Sequence, residues 1–454
     1  MNTIEKRAAY SLAGIFSMRM LGLFMVLPVL AIEAKSLPDS TPVLIGLAIG
    51  AYGFSQAILQ IPFGMLSDRI GRKPMILFGL CLFAAGSIVA ALSDSLYGII
   101  IGRAIQGSGA IAAVVTALCA DLTREEYRTR AMAIIGMTIG LSFTVSIILG
   151  PVLHHLFGLS GLFWITASLA VLGMIILLKF VPAPKVQAFH RETEVSSGDF
   201  VSILGNPQLL RLDFGIFVLH MTLTALFIAM PLVLHDQIGL ATAKHGYLYA
   251  ATLVFAMFFM FPLIIVAEKY RKMKPVFLTG IATILLSSLG FLLVGQSLMI
   301  AGMCLFVFFL GFNILEATLP SLIAKAAPAD KKGTAMGIYS TSQFLGAFSG
   351  GMIGGILYGQ WGATGIFIFS ALSMLAWLII AMTMTMPQHL ASRMFSVAHL
   401  NPDEHERLTR EVLAIRGVKE AVIIPEEGVA YLKVDSKIVD DDALRYIFKQ
   451  TTEA

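Results

Sequence analysis

Charge is what this chain is short of. Asp, Glu, Lys and Arg make up 13 % of its 454 residues, and hydrophobic residues make up 57 %. Ordinary soluble domains carry about 25 % charged residues. Length alone would suggest roughly three soluble domains, but so apolar a composition excludes them. Cysteine is nearly missing too. Cys81, Cys119 and Cys304 all fall inside apolar runs without metal-ligand spacing, so they read as small packing residues and no metal site is expected. A nucleotide-binding loop and a nucleophile constellation are also lacking. The Gly107-Ser108-Gly109 run lies in an apolar stretch with no preceding strand, and is no dinucleotide loop. The chain therefore does not read as an enzyme, and neither a cofactor nor a nucleic-acid partner is expected.

What is present is a series of apolar stretches of about 20 residues, the length of a helix that spans a bilayer. A β-barrel is excluded, because its strands would alternate in ~10-residue segments. Twelve spans are expected, near 8–33, 43–66, 75–93, 96–119, 131–156, 161–181, 209–235, 244–267, 276–294, 297–323, 335–359 and 363–386. The first apolar run is too long for the core of a signal peptide and reads as span 1. Twelve spans put both termini on one side. The links on that side hold Arg69, Arg72, Lys73, Arg124, Arg128, Arg130, Lys185, Arg191, Lys269, Arg271, Lys272, Lys274, Lys325, Lys331 and Lys332. The opposite links hold Lys35 and Lys244. Lys and Arg collect on the cytoplasmic side, so both termini are expected in the cytoplasm and the lipid partner is a cell inner (plasma) membrane.

Two breaks organise the chain. Residues 182–208 are polar and read as a linker between two six-span halves, 1–181 and 209–387. After Pro387 the composition changes: residues 388–454 carry twelve acids and nine Lys or Arg. The halves repeat weakly. "IPFGMLSDRIGRK" aligns with "FPLIIVAEKYRKM", pairing Asp68 with Glu268 and Arg72 with Lys272. At a shift of 204, Ser142, Ser146 and Gly150 match Gly346, Gly350 and Gly354. Small residues at every fourth position let membrane helices approach closely, so Ser146, Gly150, Pro151, Gly350 and Gly354 read as helix-packing positions of spans 5 and 11. Duplicated halves with a site between them are the architecture of secondary transporters.

The link "GMLSDRIGRK" between spans 2 and 3 is dense in charge and glycine. A positive-inside loop explains its bases but leaves Asp68 and the two glycines, Gly64 and Gly71, without a purpose. Glycine there allows a tight turn with positive φ. Asp68 is placed to accept the N–H groups and partial positive charge at the start of span 11 when the cytoplasmic side is closed.

Gly64, Leu66, Asp68, Arg69, Gly71, Arg72 and Lys73, at these offsets, resemble the signature loop of the major facilitator superfamily. "RAIQGSGA" from Arg103 resembles the span-4 arginine motif of that family, and "LGLFMVLPVL" from Leu21 the span-1 motif of its drug:proton antiporters. Gly150-Pro151 resembles the antiporter motif, with Ser142 and Ser146 where glycines would stand. The resemblance covers about residues 1–386, and with the tail the whole chain resembles those members that end in an extra domain. It implies two six-helix bundles working by alternating access, a pairing of Arg72 with Asp121, and an influence of Arg103 on proton transfer.

Charges within hydrocarbon cost at least ~2.5–3.5 kcal/mol and usually mark a pathway or a partner. Besides Arg103, Glu316 is the one acid deep in the second half, and His220 lies in span 7. Arg19 lies in span 1, and Glu33 ends it. Arg103, Glu316, His220 and Glu33 are the candidates for proton coupling. The plainer alternatives are an Arg103 held by backbone carbonyls, a Glu316 bonded to Asn313, and a structural His220. Glu33 fits an outer vestibule, and His154-His155 an interfacial pair. Around these points the chain is rich in Phe and Met, with 31 and 23, and adaptable apolar linings suit promiscuous hydrophobic substrates.

The tail reads as β-α-β-β-α with a last short strand at the terminus, an α+β ferredoxin-like module over 393–454. It resembles heavy-metal-associated domains, which bind metal through a Cys-x-x-Cys in the first loop. Here that loop, about His399 to Glu404, has no cysteine, so regulation or self-association is expected instead. The whole reads as an all-α membrane protein with a small α+β tail. Its expected function is proton-coupled export of hydrophobic or drug-like small molecules. The rival readings are an importer or facilitator on the same fold, and a transporter-derived sensor.

Overall fold

The computed structural model describes residues 1–182, 200–328, 331–385, 391–397, 402–424, 429–435 and 438–453. Lys185, Arg191, most of the expected linker and the start of the tail's first loop lie outside them.

Among the described residues twelve apolar helical spans are present. Span 1 is Thr3–Phe24 continued by Leu27–Ala34, and span 2 is Pro42–Ile70. Span 3 is Arg72–Ala91, and span 4 is Leu96–Ser108 continued by Ala112–Asp121. Spans 5 and 6 form one stretch, Glu125–Lys179, divided at Gly158. Span 7 is Pro207–Leu232 with a π-helical end, Val233–Gln237; span 8 is Thr242–Lys269 and span 9 Met273–Gly290. Span 10 is Leu298–Ala326. Spans 11 and 12 share Lys332–Met382, divided at Gly362. The two dividing glycines are 204 residues apart and adopt the same left-handed φ, 68° and 62°. A side chain would strain both turns.

Span starts are set by local hydrogen bonds. Asn2 and Glu5 form a reciprocal cap on span 1, and Thr41, Ser95 and Ser297 accept backbone N–H groups at the heads of spans 2, 4 and 10. Each satisfies a donor that the first helical turn leaves open. Continuous helices were expected for spans 1 and 4, and both are interrupted. Span 4 breaks at Gly109, where a Cβ would lie 2.2 Å from the Gly79 carbonyl oxygen. Spans 3 and 4 pack backbone to backbone there, and a regular helix gives way. The expected loop at Gly64–Lys73 is shorter than its composition suggests. Gly64 is helical, and Gly71 alone, at φ 106°, separates spans 2 and 3.

The repeat is visible in the contacts. Within the first half, Ser142 Oγ meets Ser17 Oγ at 2.6 Å, Ser146 Oγ donates to the Leu21 carbonyl at 3.2 Å, and a Cβ on Gly150 would sit 2.3 Å from the Met25 oxygen. Within the second, Cβ atoms on Gly346 and Gly350 would sit 2.2 and 2.1 Å from the oxygens of Phe217 and Met221, and Gly354 packs on Ala225. Span 5 thus lies on span 1 as span 11 lies on span 7, through the matched small residues. Arg7 likewise donates to the Lys179 carbonyl at 2.8 Å, and Arg211 to that of Thr383 at 3.4 Å. Span 7 is almost wholly enclosed, while span 8 turns most of its length outward, with Phe255, Phe258 and Phe261 exposed. Such an apolar exterior suits contact with lipid.

The tail comprises β1 (Ala391–Ser396), α1 (Pro402–Ala414), β2 (Val418–Ile424), β3 (Val429–Val434) and α2 (Asp441–Glu453). The sheet order is β1-β3-β2, antiparallel throughout. Val412, Leu432, Val434 and Leu444 form its separate core. The last strand expected at the terminus is replaced by the continuation of α2 to Glu453.

The packing makes a sharp contrast. Gly350→Val places carbon against the Met221 carbonyl, and overpacking of this kind costs about 1–3 kcal/mol. Gly136 has nothing within 4 Å of a built Cβ. Thermal unfolding of the purified protein should show a clearly lowered midpoint for Gly350→Val and an unchanged one for Gly136→Ala.

Candidate functional site

Polar residues inside the bundle gather in separate networks, one in each half, with further ones at the two faces. On the face that carries the termini, the Arg72 side chain is 4 % exposed and ties spans 2, 3 and 4 together. It pairs with Asp68, its Nη1 donates to Ser67 Oγ at 2.7 Å, and its Nε to Asp121 Oδ2 at 3.4 Å. Lys73 Nζ donates to the Val181 carbonyl at 2.8 Å, while Arg69 is exposed. Among the described residues the Asp68 carboxylate meets Arg72 within its own half, and not the start of span 11. In the second half one of the matched positions has changed sign: Lys325, at the place of Asp121, donates at 2.9 Å to Glu268, at the place of Asp68.

In the second half, spans 7, 10 and 11 bring together three side chains. His220 Nε2 lies 3.1 Å from Glu316 Oε2 and 2.8 Å from the Gln343 amide, which also donates to Glu316 Oε1 at 3.3 Å. One ring nitrogen cannot donate to a carboxylate and accept from an amide at the same moment. Protonated, Nε2 donates to Glu316; deprotonated, it accepts from Gln343. Asn313, weighed as a partner of Glu316, leaves its amide nitrogen without one. Two turns nearer the terminal face on span 7, Asp213 is 6 % exposed. Tyr339, one turn from Gln343, lies within electrostatic reach of both Asp213 and Glu316. The line of polar groups thus runs from His220 toward the terminal face.

In the first half the interior is cationic. Arg103 Nη1 donates to Gln106 Oε1 at 3.1 Å, and so is held by a side chain, not by backbone carbonyls. Arg19 Nη2 donates to Tyr52 Oη at 2.6 Å and also to Gln56. The Gln56 amide continues to Gln60 at 2.6 Å, and that of Gln106 to Ser87 at 2.8 Å. Sequence reasoning missed Tyr52, Gln56, Gln106, Gln343 and Asp213. The polar positions inside apolar spans were the signal available, but only the fold shows which of them meet.

On the opposite face the halves are sealed together. Cβ atoms on Gly46, Gly53 and Gly355 would lie 2.1, 2.7 and 2.4 Å from the carbonyl oxygens of Gly351, Phe344 and Pro42, so spans 2 and 11 touch backbone to backbone. A Cβ on Gly246 of span 8 would lie 2.6 Å from the Ile148 oxygen of span 5. Lys35 Nζ donates to Asp236 Oδ2 at 2.7 Å across the halves, and that hydrogen bond holds the lysine above its ordinary pKa. Glu33 pairs with His154 at 3.0 Å, while His155 is exposed. Glu33 thus stands at the rim of this face, apart from Arg103, Glu316 and His220.

The tail sits on the terminal face of the second half. Lys433 of β3, 6 % exposed, donates to the carbonyls of Ala327 at 2.5 Å and Lys325 at 3.4 Å, capping the end of span 10. A cation there meets both open carbonyls and the negative end of the helix dipole. Lys433 also pairs with Glu420 at 3.1 Å, and Arg271 with Asp435 at 3.4 Å.

Comparison with known proteins places this geometry. Residues 12–351 match the Major Facilitator Superfamily, and residues 401–449 match the YajR YAM domain. The chain is 45 % identical over 98 % of both lengths to the inner membrane transport protein YajR of Escherichia coli (strain K12). It is 25 % identical to multidrug resistance protein MdtH of Aeromonas hydrophila, over 74 % of this chain and 84 % of that one. The structure of a bacterial homologue of the human lysosomal transporter Spinster, inward-facing and occupied, covers 84 % of this chain and 95 % of its own at a TM-score of 0.64 and 13 % identity, which shows the shared fold.

The Lys35–Asp236 pair is half exposed and worth at most about 1 kcal/mol, enough to move a two-state population about fivefold. Lys35→Asp should lower the share of molecules sealed on this face, and Lys35→Asp with Asp236→Lys should restore it. Spin-label distances between the loops after spans 1 and 7 would report both.

Proposed function

Because the chain belongs to the Major Facilitator Superfamily it is a multi-pass membrane transporter and not an enzyme, and we propose that it is a proton-coupled antiporter, exporting hydrophobic or drug-like small molecules from the cytoplasm by alternating access. The asymmetry of Lys and Arg between its links supports cytoplasmic termini, and the name of the YajR relative supports an inner membrane. The opposite, outer face is then the one sealed in this structure.

The observation that carries the reading is the His220–Glu316–Gln343 triad. It is the one place among the described residues where a histidine and a carboxylate meet deep within the spans, and its three side chains come from three different helices. A proton on His220 Nε2 joins span 7 to span 10 through Glu316. Its departure frees that nitrogen for Gln343 of span 11. Proton occupancy therefore changes which helices are joined, as a coupling site requires. Asp213 and Tyr339 continue the polar line toward the cytoplasm. A proton crossing ~100 mV yields about 2.3 kcal/mol, enough for roughly a fortyfold substrate gradient at ~1.4 kcal/mol per decade. In the first half, the Arg72–Asp121 pair holds Asp68 in place. When the cytoplasmic side closes, Asp68 can turn to the N–H groups at the start of span 11.

The tail, capping span 10 through Lys433, regulates movement of the second half. Docked, it ties Arg271 and the ends of spans 8 to 10 together.

In proteoliposomes, Glu316→Gln should cut proton-driven flux more than tenfold while substrate exchange without a gradient persists. Full proton-driven flux in that variant would remove Glu316 from the coupling site.

Truncation after Met386 should give a protein that inserts and keeps basal flux, since the membrane part packs within itself. Lys433→Ala should undock the tail and shift the rate to that of the truncated protein. Identical rates for all three proteins would leave the tail without a regulatory role.

A further inference from the structure

Arg19 and Arg103 are each 1 % exposed. A guanidinium carried into a membrane bundle ordinarily meets a carboxylate. Neither of these does: among the described residues, their hydrogen-bond partners are Tyr52, Gln56 and Gln106, all neutral. The side chain common to both is the Tyr52 ring. Both guanidinium carbons stand over that ring, at 5.8 and 5.2 Å from its centroid, and Arg19 also stands 5.9 Å from the Phe83 centroid. Three of their nitrogens, Arg19 Nε and Nη1 and Arg103 Nε, are buried and hydrogen-bonded to nothing. Two like charges are thus gathered about one ring, with donors left over and, among the described residues, no carboxylate to receive them.

Ring faces and amide oxygens satisfy part of this demand, but only an anion satisfies both the charge and the idle N–H groups. We propose that Arg19 and Arg103 form the subsite for an anionic head group of the transported molecule, a carboxylate, sulfonate or phosphate. This rests on the transport reading above and names the class of its substrate: amphiphiles with an acidic head. Tyr52, which lies against both arginines, also packs edge-on to Phe344 of span 11, with centroids 6.3 Å apart. Phe344 adjoins Gln343 of the proton site. A head group on the first half therefore reaches the seam between the halves, beside the residue that reads the proton state of His220. The apolar remainder of the substrate would meet Phe143 and Phe312, which stack with centroids 5.6 Å apart across the same seam.

The test uses the purified full chain and three probes in a thermal-shift titration: octanesulfonate, octyltrimethylammonium and sodium sulfate. Octanesulfonate should raise the unfolding midpoint saturably, and the cation of equal chain length should not. Arg19→Gln and Arg103→Gln should each weaken octanesulfonate binding at least tenfold, and Arg19→Lys and Arg103→Lys should keep part of it. Sulfate competing as well as octanesulfonate would keep the anion subsite and assign it to small inorganic anions. Equal stabilisation by the anion and the cation would overturn the proposal. So would wild-type affinity in both glutamine variants. Glu316→Gln separates the two readings: it should bind octanesulfonate normally while losing proton-driven flux. Arginine-dependent binding without flux in the wild-type protein would defeat the transport reading and spare the subsite.

Discussion

Helix backbones in direct contact are the constraint on which this molecule depends. Lipid is as apolar as the side chains it surrounds, so the hydrophobic effect does little to press one span on another. Close approach has to supply the attraction, and it is possible only where a side chain is missing. Gly150 and Gly350 provide it within the two halves, by the same register of spans 5 on 1 and 11 on 7. Gly46, Gly53 and Gly355 provide it between the halves. The first set packs spans within each half, and the second packs span 2 against span 11 across the halves.

With the bundles fixed in this way, polar groups are sorted by half. The first half buries guanidinium groups about Tyr52, and the second buries a histidine and an aspartate beside a half-buried glutamate. In a low dielectric the buried groups are poorly screened by solvent, so each depends on what sits beside it. The separation puts positive charge on one side of the seam and titratable groups on the other, with Phe344 and Gln343 as neighbours on the helix between. A ligand that neutralises one side and a proton that neutralises the other would thus act on the same pair of helices. The apolar depression lined by Phe157, Trp164 and Leu172 holds none of these groups and belongs to the exterior.

The charged ends of the spans show how a repeat can diverge without losing its geometry. Asp121 and Lys325 occupy matched positions, as do Asp68 and Glu268. In the first half Arg72 stands between two acids; in the second, a lysine meets the glutamate directly. The second half has instead gained an outside contact. Lys433 of the tail reaches the carbonyls at the end of the same span 10 that carries Lys325. The tail's own fold follows from its short apolar strands and two amphipathic helices.

The sequence by itself marked out the spans, the internal shift of 204 and the β-α-β-β-α order of the tail's elements. Those depend on local composition and spacing, which hydrocarbon thickness and helix geometry read directly. It also singled out Arg103, Glu316 and His220, because a charge in an apolar run is costly wherever it points. Only the tertiary structure decided what each of them meets. His220 and Glu316 are 96 residues apart and share Gln343 because three spans converge. Arg19 and Arg103 come to one tyrosine because spans 1, 2 and 4 do. Lys35 finds Asp236 only because the face opposite the termini is closed. Partners so distant in the chain are set by how rigid helices cross, and no window of sequence contains that information.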